Sequence, residues 1–400
     1  MFFIAIFAAI FLVLIWQIRL YRRRSFEDLT CEIRLSADEA FVGEDVYLFE
    51  QVRNVKRLPM PYLKVEDDLP DGLRFVLYDT DAQTGRRTPR QVQHLQSLFS
   101  LAGNSEISRR WRVRCLTRGV YRLDSLLLVS TDVLGMATHS RCLPATGRDG
   151  ETATLVVLPS AIDLEGNFAA SRYLSGDVVQ NHCPVSDPLR ICGTRAYQPD
   201  DPMNRINWKQ TAAHGTLLVN QEERTLRERF NLILNMQSRG VERDPEVPSN
   251  PAAIEQCITV CASILDRVAA ANLPVRLIAN TSPAPFPEAV PVDDSGVGAE
   301  VLMTPVYEGR RDTMTALRLL AALPMRYSVS IQQLLAHIVD YPHAYAEEGS
   351  LILVTAYIDQ TMLEVHAALR ARGIALIFYV TTTQHNVLNI PPEVEVYYKI

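Results

Sequence analysis

The chain has 400 residues, a formal charge of -6 and 48% hydrophobic content, enough for about two or three packed domains. That charge and a sequence pI near 5.8 exclude the globally basic face that nucleic-acid binding favours, so no nucleic-acid partner is expected. The cysteines, scattered at 31, 115, 142, 183, 192, 257 and 261, are odd in number and exclude a complete disulfide framework. They point instead to reduced thiols in a cytosolic compartment.

The first predicted element is FFIAIFAAIFLVLIWQI, residues 2 to 18, which carries no charge and a single polar residue, Gln17. As a helix rising 1.5 Å per residue it covers about 25 Å, close to the thickness of a bilayer core. Arg19, Arg22, Arg23 and Arg24 follow the apolar run, the reverse of a secretory signal. The positive-inside rule then predicts a single-pass anchor over residues 1–20 in the inner (cytoplasmic) membrane. The lipid bilayer would be a partner through residues 2–18, with the soluble body in the cytoplasm.

Residues 25–158 read with a period of two. CEIRLS, VYLFEQV, YLKVED, LRFVLY, WRVRC, VYRL and SLLLVS are short runs of β-branched and aromatic residues, parted by turn sequences such as LPDG at 69–72. The spacing predicts an all-β sandwich resembling immunoglobulin-type modules, with the polar stretch 80–105 as a long hairpin excursion. No catalytic spacing occurs in it, so spacing or binding is its expected work.

Residues 229–400 change pattern. FNLILNM (230–236), PVRLIAN (274–280), SLILVTA (350–356) and IALIFYV (374–380) are nearly unbroken apolar strands. Helical spacing is predicted at 252–272, 311–323, 328–339 and 359–372, and a proline-rich loop at 281–300. Buried-type strands alternating with helices predict a doubly wound parallel α/β sheet.

Between these parts, residues 159–228 form a junction that follows neither period, and RAYQPDDPMNRINWKQTAAHGTLLVNQEE (195–223) is its centre. This stretch resembles the signature of the family known as domain of unknown function 58. The resemblance rests on Arg195, Tyr197, Pro199, Asp201, Arg205, Ile206, Trp208, Ala212, Leu218, Val219 and Glu223. Asp200 stands where the family has glycine. TRGVYRLDSLLLVSTDVLGMA (117–137) and NVKRLPMPYLKVEDDLPDGL (54–73) extend the likeness upstream. The resemblance implies a von Willebrand factor A-like α/β domain behind a β-rich, membrane-anchored front. It further implies work beside a MoxR-type AAA+ ATPase that supplies the nucleotide chemistry.

Read physically, Asp200 and Asp201 before Pro202 suit a turn or cap, and Trp208 offers a large apolar face with one N–H donor beside Lys209. The favoured expectation is a structural clasp, with Trp208 plugging a seam and Arg195 and Arg205 bridging to carboxylates. A surface that docks a partner protein is the alternative. The resemblance also implies a divalent-metal site after the first α/β strand, of the form Asp-x-Ser-x-Ser. Asn235, Gln237 and Arg239 occupy those positions, and the later strand ends in Thr355 and Ala356 where an Asp would be expected. Oxygen ligands with negative charge suit Mg²⁺, so this site reads as degenerate, with neither metal nor other cofactor expected.

Cys257 and Cys261 read as core thiols. His182, Cys183 and Cys192 lack paired zinc spacing, and His337 and His343 lack a metalloprotease frame. Neither a phosphate-binding glycine loop nor a nucleophile elbow is present. The expected function is a non-enzymatic adaptor or scaffold acting with a MoxR-type ATPase to assemble or activate protein complexes. The alternative is a metal-dependent ligand-binding module of the von Willebrand A type.

Overall fold

A computed structural model describes residues 2–80, 87–123, 125–132, 135, 138–144, 152–164, 186–198, 203, 206–224, 229–281, 301–345, 349–381 and 390–398. Helix α1 is Phe2–Arg24. The strands that follow are β1 (Leu29–Leu35), β2 (Glu39–Phe41), β3 (Asp45–Asn54), β4 (Met60–Asp68), β5 (Leu73–Thr80), β6 (Arg87–Val92) and β7 (His94–Leu101). Next come β8 (Ser105–Cys115), β9 (Gly119–Leu123), β10 (Ser125–Thr131), β11 (Thr138–Pro144) and β12 (Ala153–Leu158).

These strands form three sheets ordered β1-β3-β8-β5-β6, β11-β10-β4-β7 and β2-β12-β9. All their pairings are antiparallel except β2 with β12. The alternation legible in the sequence is the alternation of burial. Every second residue of β7 is buried, because successive side chains of a strand point to opposite faces. Ile33, Leu48, Val65, Phe75, Phe99 and Leu128 meet in one core, giving a β-sandwich-like body.

The stretch 80–105 contributes a hairpin, since β6 pairs antiparallel with β5, and then a strand of a second sheet. Residues 87–92 form β6, a largely exposed strand at the sheet edge, where Pro89 is tolerated because an edge strand need not donate every backbone N–H. Residues 94–101 are the half-buried β7.

The remaining elements are β13 (Ser186–Ala196), α2 (Trp208–His214), β14 (Leu218–Arg224), β15 (Arg229–Leu234), α3 (Pro251–Ala270), β16 (Val275–Ala279) and β17 (Leu302–Met303). They are followed by α4 (Gly309–Ala322), α5 (Ile331–Asp340), α6 (Pro342–Tyr345), β18 (Gly349–Thr355), α7 (Gln360–Ala371), β19 (Leu376–Val380) and β20 (Val396–Tyr398). β13 and β14 pair antiparallel. The last sheet is ordered β17-β16-β15-β18-β19-β20. β15, β16, β18, β19 and β20 run parallel, while β17 runs antiparallel at one edge.

The chain divides into two compact units. The first takes Met1–Ala161 together with Leu317–Pro324, and the second takes most of the chain from Ile162 to Ile400. Within the first unit, the buried Arg118 donates from Nη1 to the carbonyls of Leu320 (2.7 Å), Ala321 (3.1 Å) and Leu323 (2.9 Å). A cation there satisfies the orphan carbonyls that a helix leaves at its C-terminus.

Two expectations are corrected. A doubly wound parallel sheet of the von Willebrand A type does not describe this fold. The described chain is mostly β-sandwich-like antiparallel sheet with few helices, and the one six-stranded sheet is mixed. Unbroken apolar strands report burial on both faces, which leaves undisclosed the antiparallel strand β17 that makes the sheet mixed.

The single-pass anchor in the inner membrane, with the bilayer as partner of residues 2–18, is also overturned. Among the described residues no helix is long and apolar enough to cross a membrane. The apolar part of α1 covers about 25 Å against a hydrocarbon core of about 30 Å. Its last turns are charged and tied to the body: Tyr21 is 2% exposed and accepts a hydrogen bond from the Ser130 hydroxyl at 3.5 Å. Lys56 Nζ then holds the following turn through the carbonyls of Ser25 and Glu27.

Candidate functional site

The positions where the resemblance implied a metal lie at the C-terminal ends of parallel strands. β15 pairs with β16 on one side and with β18 on the other. Residues Asn235, Asn280 and Thr355, just past or at those strand ends, are therefore neighbours. All three are buried, as is Gln237.

Asn235 donates from Nδ2 to Thr355 Oγ1 at 3.0 Å. Its Oδ1 accepts from the Gln237 backbone N–H at 3.0 Å and from Asn280 Nδ2 at 3.4 Å. Asn280 Oδ1 accepts from the Met236 N–H at 2.7 Å, and its Nδ2 donates to the Val329 carbonyl at 3.0 Å. Gln237 Oε1 accepts from the Ile331 N–H at 2.6 Å, the first N–H of α5. Ser330 completes that helix start with a capping box against Gln333.

Neutral amides and a hydroxyl thus satisfy one another and tie three strand ends to one helix N-terminus. Nothing in this network titrates near neutrality or is poised as a nucleophile. Arg239 turns away from it, half-exposed, with Nε 3.8 Å from Glu242 Oε2. Burial works to raise the Glu242 carboxyl, but hydrogen bonds from Ser238 and Ser249 outweigh it and hold the group below its usual range. Among the described residues no group of three or more His, Cys, Asp or Glu is gathered as metal ligands would be.

The signature stretch has a plain local logic. Tyr197 N–H donates to the Leu217 carbonyl at 2.9 Å and Asn207 N–H to the Leu218 carbonyl at 2.8 Å, so the two flanks pair and α2 is carried between them. Asn207 caps α2 by accepting from the Gln210 N–H at 3.0 Å. Gly215 ends it at φ 72°, a left-handed C-terminal position that favours glycine. Ile206 bridges to Val219, and both are buried.

The residue expected to be a plug is not one. Trp208 is 66% exposed, and Lys209 beside it is exposed as well. The buried anchor of the stretch is the Ile206–Val219 pair. That signal was present as an aliphatic pair flanking the polar run, outweighed by the size of the indole. Arg195 and Tyr197 are half-buried, and Arg195 Nη1 donates to the Ala196 carbonyl at 3.1 Å. Asp200, Asp201 and Arg205 lie outside the described residues, as do Pro199, His182 and Cys183.

Cys257 and Cys261 are fully buried on α3, with Cys257 Sγ 3.3 Å from Thr381 Oγ1. Burial raises the Cys261 thiol well above its ordinary range. His337 lies among rings, 4.8 Å from Tyr341 and 5.5 Å from Tyr345 between centroids.

No protein-family model and no curated protein matches the chain. Among the solved structures with local similarity are the following three. The CARDB domain of a Pyrococcus furiosus protein in complex with di-metal ions is 17% identical over 33% of this chain and 92% of that one, with a TM-score of 0.19. A non-cellulosomal cohesin from Archaeoglobus fulgidus is 14% identical over 32% and 91%, at 0.20. The sporulation control protein Spo0M of Bacillus subtilis is 14% identical over 30% and 50%, at 0.18. At TM-scores this low, the three likenesses decide nothing about the fold or work of this chain.

Proposed function

We propose that the chain is a non-enzymatic adaptor that docks a MoxR-type AAA+ ATPase and helps it assemble or activate other protein complexes. The observation that carries this reading is Trp208, 66% exposed on a short helix held between paired flanks. A large aromatic presented rigidly to solvent, with a lysine beside it, is the kind of group that anchors protein interfaces. The ATPase itself comes from the likeness of residues 195–223 to the domain of unknown function 58 signature.

The test is binding of the full chain to a MoxR-type ATPase from the same organism, with Trp208→Ala as the variant. Association should weaken by about 2 kcal/mol or more, roughly thirtyfold, as for an interface hot spot. Melting should move little, because exposed substitutions rarely cost more than about 0.5 kcal/mol. Unchanged association together with an earlier melt would return Trp208 to a structural role. The metal-dependent alternative has no charged ligand set to rest on at Asn235 and Gln237, and Mg²⁺ titration of the full chain should give no saturable heat.

A further inference from the structure

The sandwich of the first unit holds a cavity of about 190 Å³ that opens to solvent. Its walls include Ile33, Leu48 and Phe75 from the five-stranded sheet and Leu126 from the four-stranded sheet, with Leu123 of β9 beside them. Asp67 of β4 lines the same space. The strand's alternation sends Val65 and Asp67 inward while Asp68 faces solvent.

Asp67 is 5% exposed, yet neither of its carboxyl oxygens has a hydrogen-bond partner. Glu50 of β3, 1% exposed, adds a second buried acid. Its Oε2 accepts from Trp111 Nε1 at 3.0 Å, while its Oε1 has no partner. Native folds seldom leave buried carboxyl oxygens unpaired, because the lost hydration goes uncompensated.

We propose that this cavity binds a small aliphatic ammonium ion, with Asp67 as its counter-ion. The ammonium supplies three donors to oxygens that have none. Its alkyl chain meets the apolar walls, where exclusion of water strengthens the charge pair, and Phe75 is a ring able to offer its face to a cation. The volume is somewhat larger than an engineered cavity of about 150 Å³ that takes up benzene, which suits a ligand of about five or six heavy atoms. A divalent metal fits poorly, since Mg²⁺ or Ca²⁺ takes about six or more oxygen ligands. Asp68, Arg122 and Ser125 are the exposed lining residues and mark the mouth.

Burial first, and the neighbouring Glu50 second, push the Asp67 carboxyl up to about 8. An alkylammonium stays charged well above that, as a lysine does at about 10.4. Binding therefore expels a proton from Asp67, and affinity rises with pH until the carboxyl is ionised. The other groups around it are Glu50, itself raised by burial and opposed by Trp111 and Arg109, and Cys31 of β1, raised to about 12 and neutral throughout. Asp68, paired with His94 of β7 at 2.8 Å, and Arg122 of β9 complete the set.

The experiment is calorimetric titration of the full chain with n-butylammonium and with n-butanol, its neutral isostere, at pH 6, 7 and 8. n-Butylammonium should bind about tenfold tighter for each unit that pH rises from 6 towards 8, with proton uptake by the buffer. n-Butanol should bind at least tenfold more weakly at pH 8. Asp67→Asn should weaken n-butylammonium at least thirtyfold. Equal affinity for the alcohol, absence of ammonium binding at pH 8, or indifference to Asp67→Asn would each overturn the proposal. The comparison of the two ligands on the unaltered chain stands even if the variant fails to fold.

Discussion

Asp67 holds its carboxyl inside the sandwich, where burial and the charge of Glu50 lift it from an ordinary 3.8 to about 8. The unfolded chain loses this proton near pH 4 while the folded chain keeps it, so the folded state binds more protons between those values. Stability therefore falls as pH rises from about 4 to 8, opposite to the usual carboxylate. At about 1.4 kcal/mol per unit the whole effect is on the order of 5 kcal/mol. Asp67→Asn should remove at least half of that slope, read by urea denaturation at pH 5 and pH 8, and a slope unchanged by the substitution would reject the assignment. The inward direction of Asp67 was already legible, because YLKVED alternates and Leu63 and Val65 fix which face is apolar. What the alternation did not carry was the missing partner, which depends on the strands β4 brings alongside.

Among the elements, α5 shows how a strand end replaces solvent at a helix start. Ser330 and Gln237 between them take the N–H groups of Gln333 and Ile331. Gln237→Ala leaves the buried Ile331 N–H without that acceptor, at a cost of about 1–3 kcal/mol. Ser330→Ala should cost about 1 kcal/mol as a lost cap. Urea midpoints of the two variants check both, and a Gln237→Ala chain as stable as the parent would show that water fills the place. Helix α3 was legible almost to the residue, since its apolar spacing sits between the cap Asn250 with Pro251 and the end near Ala270. The full membership of the sheet was not. FNLILNM and SLILVTA disclosed two buried faces, while the antiparallel edge pairing of Leu302 and Met303 arises from contacts distant in sequence. Asn235 and Gln237 are neutral amides, and their use as a brace among β15, β16, β18 and α5 needed Asn280, which no motif singled out.

On the scale of the whole molecule, α1 stands out for the apolar surface it leaves exposed. Phe3, Phe7, Phe11, Leu12 and Trp16 are each more than 60% exposed, while Tyr21 and Ser25 at its end are buried. Contiguous apolar surface of this kind promotes association. Deleting residues 2–18 should therefore lower self-association in sedimentation while leaving the melting temperature within about 2 °C, since the packed turn is kept. A large drop in melting temperature would mean that the apolar run also packs against the body. The interior offers a different opportunity through its sulfur atoms. Cys31 and Cys115 are buried in the first unit, with thiols pushed by burial to about 12 and about 11. Cys257 and Cys261 are buried in the second, while Cys142 is exposed. Because only a thiolate attacks an alkylating reagent, the four buried sulfurs stay silent until their own unit opens. Each unit therefore carries a pair of built-in clocks. A brief pulse of iodoacetamide along a denaturant series, followed by peptide mass analysis, would time the opening of the two units separately in one sample, without adding a label to either.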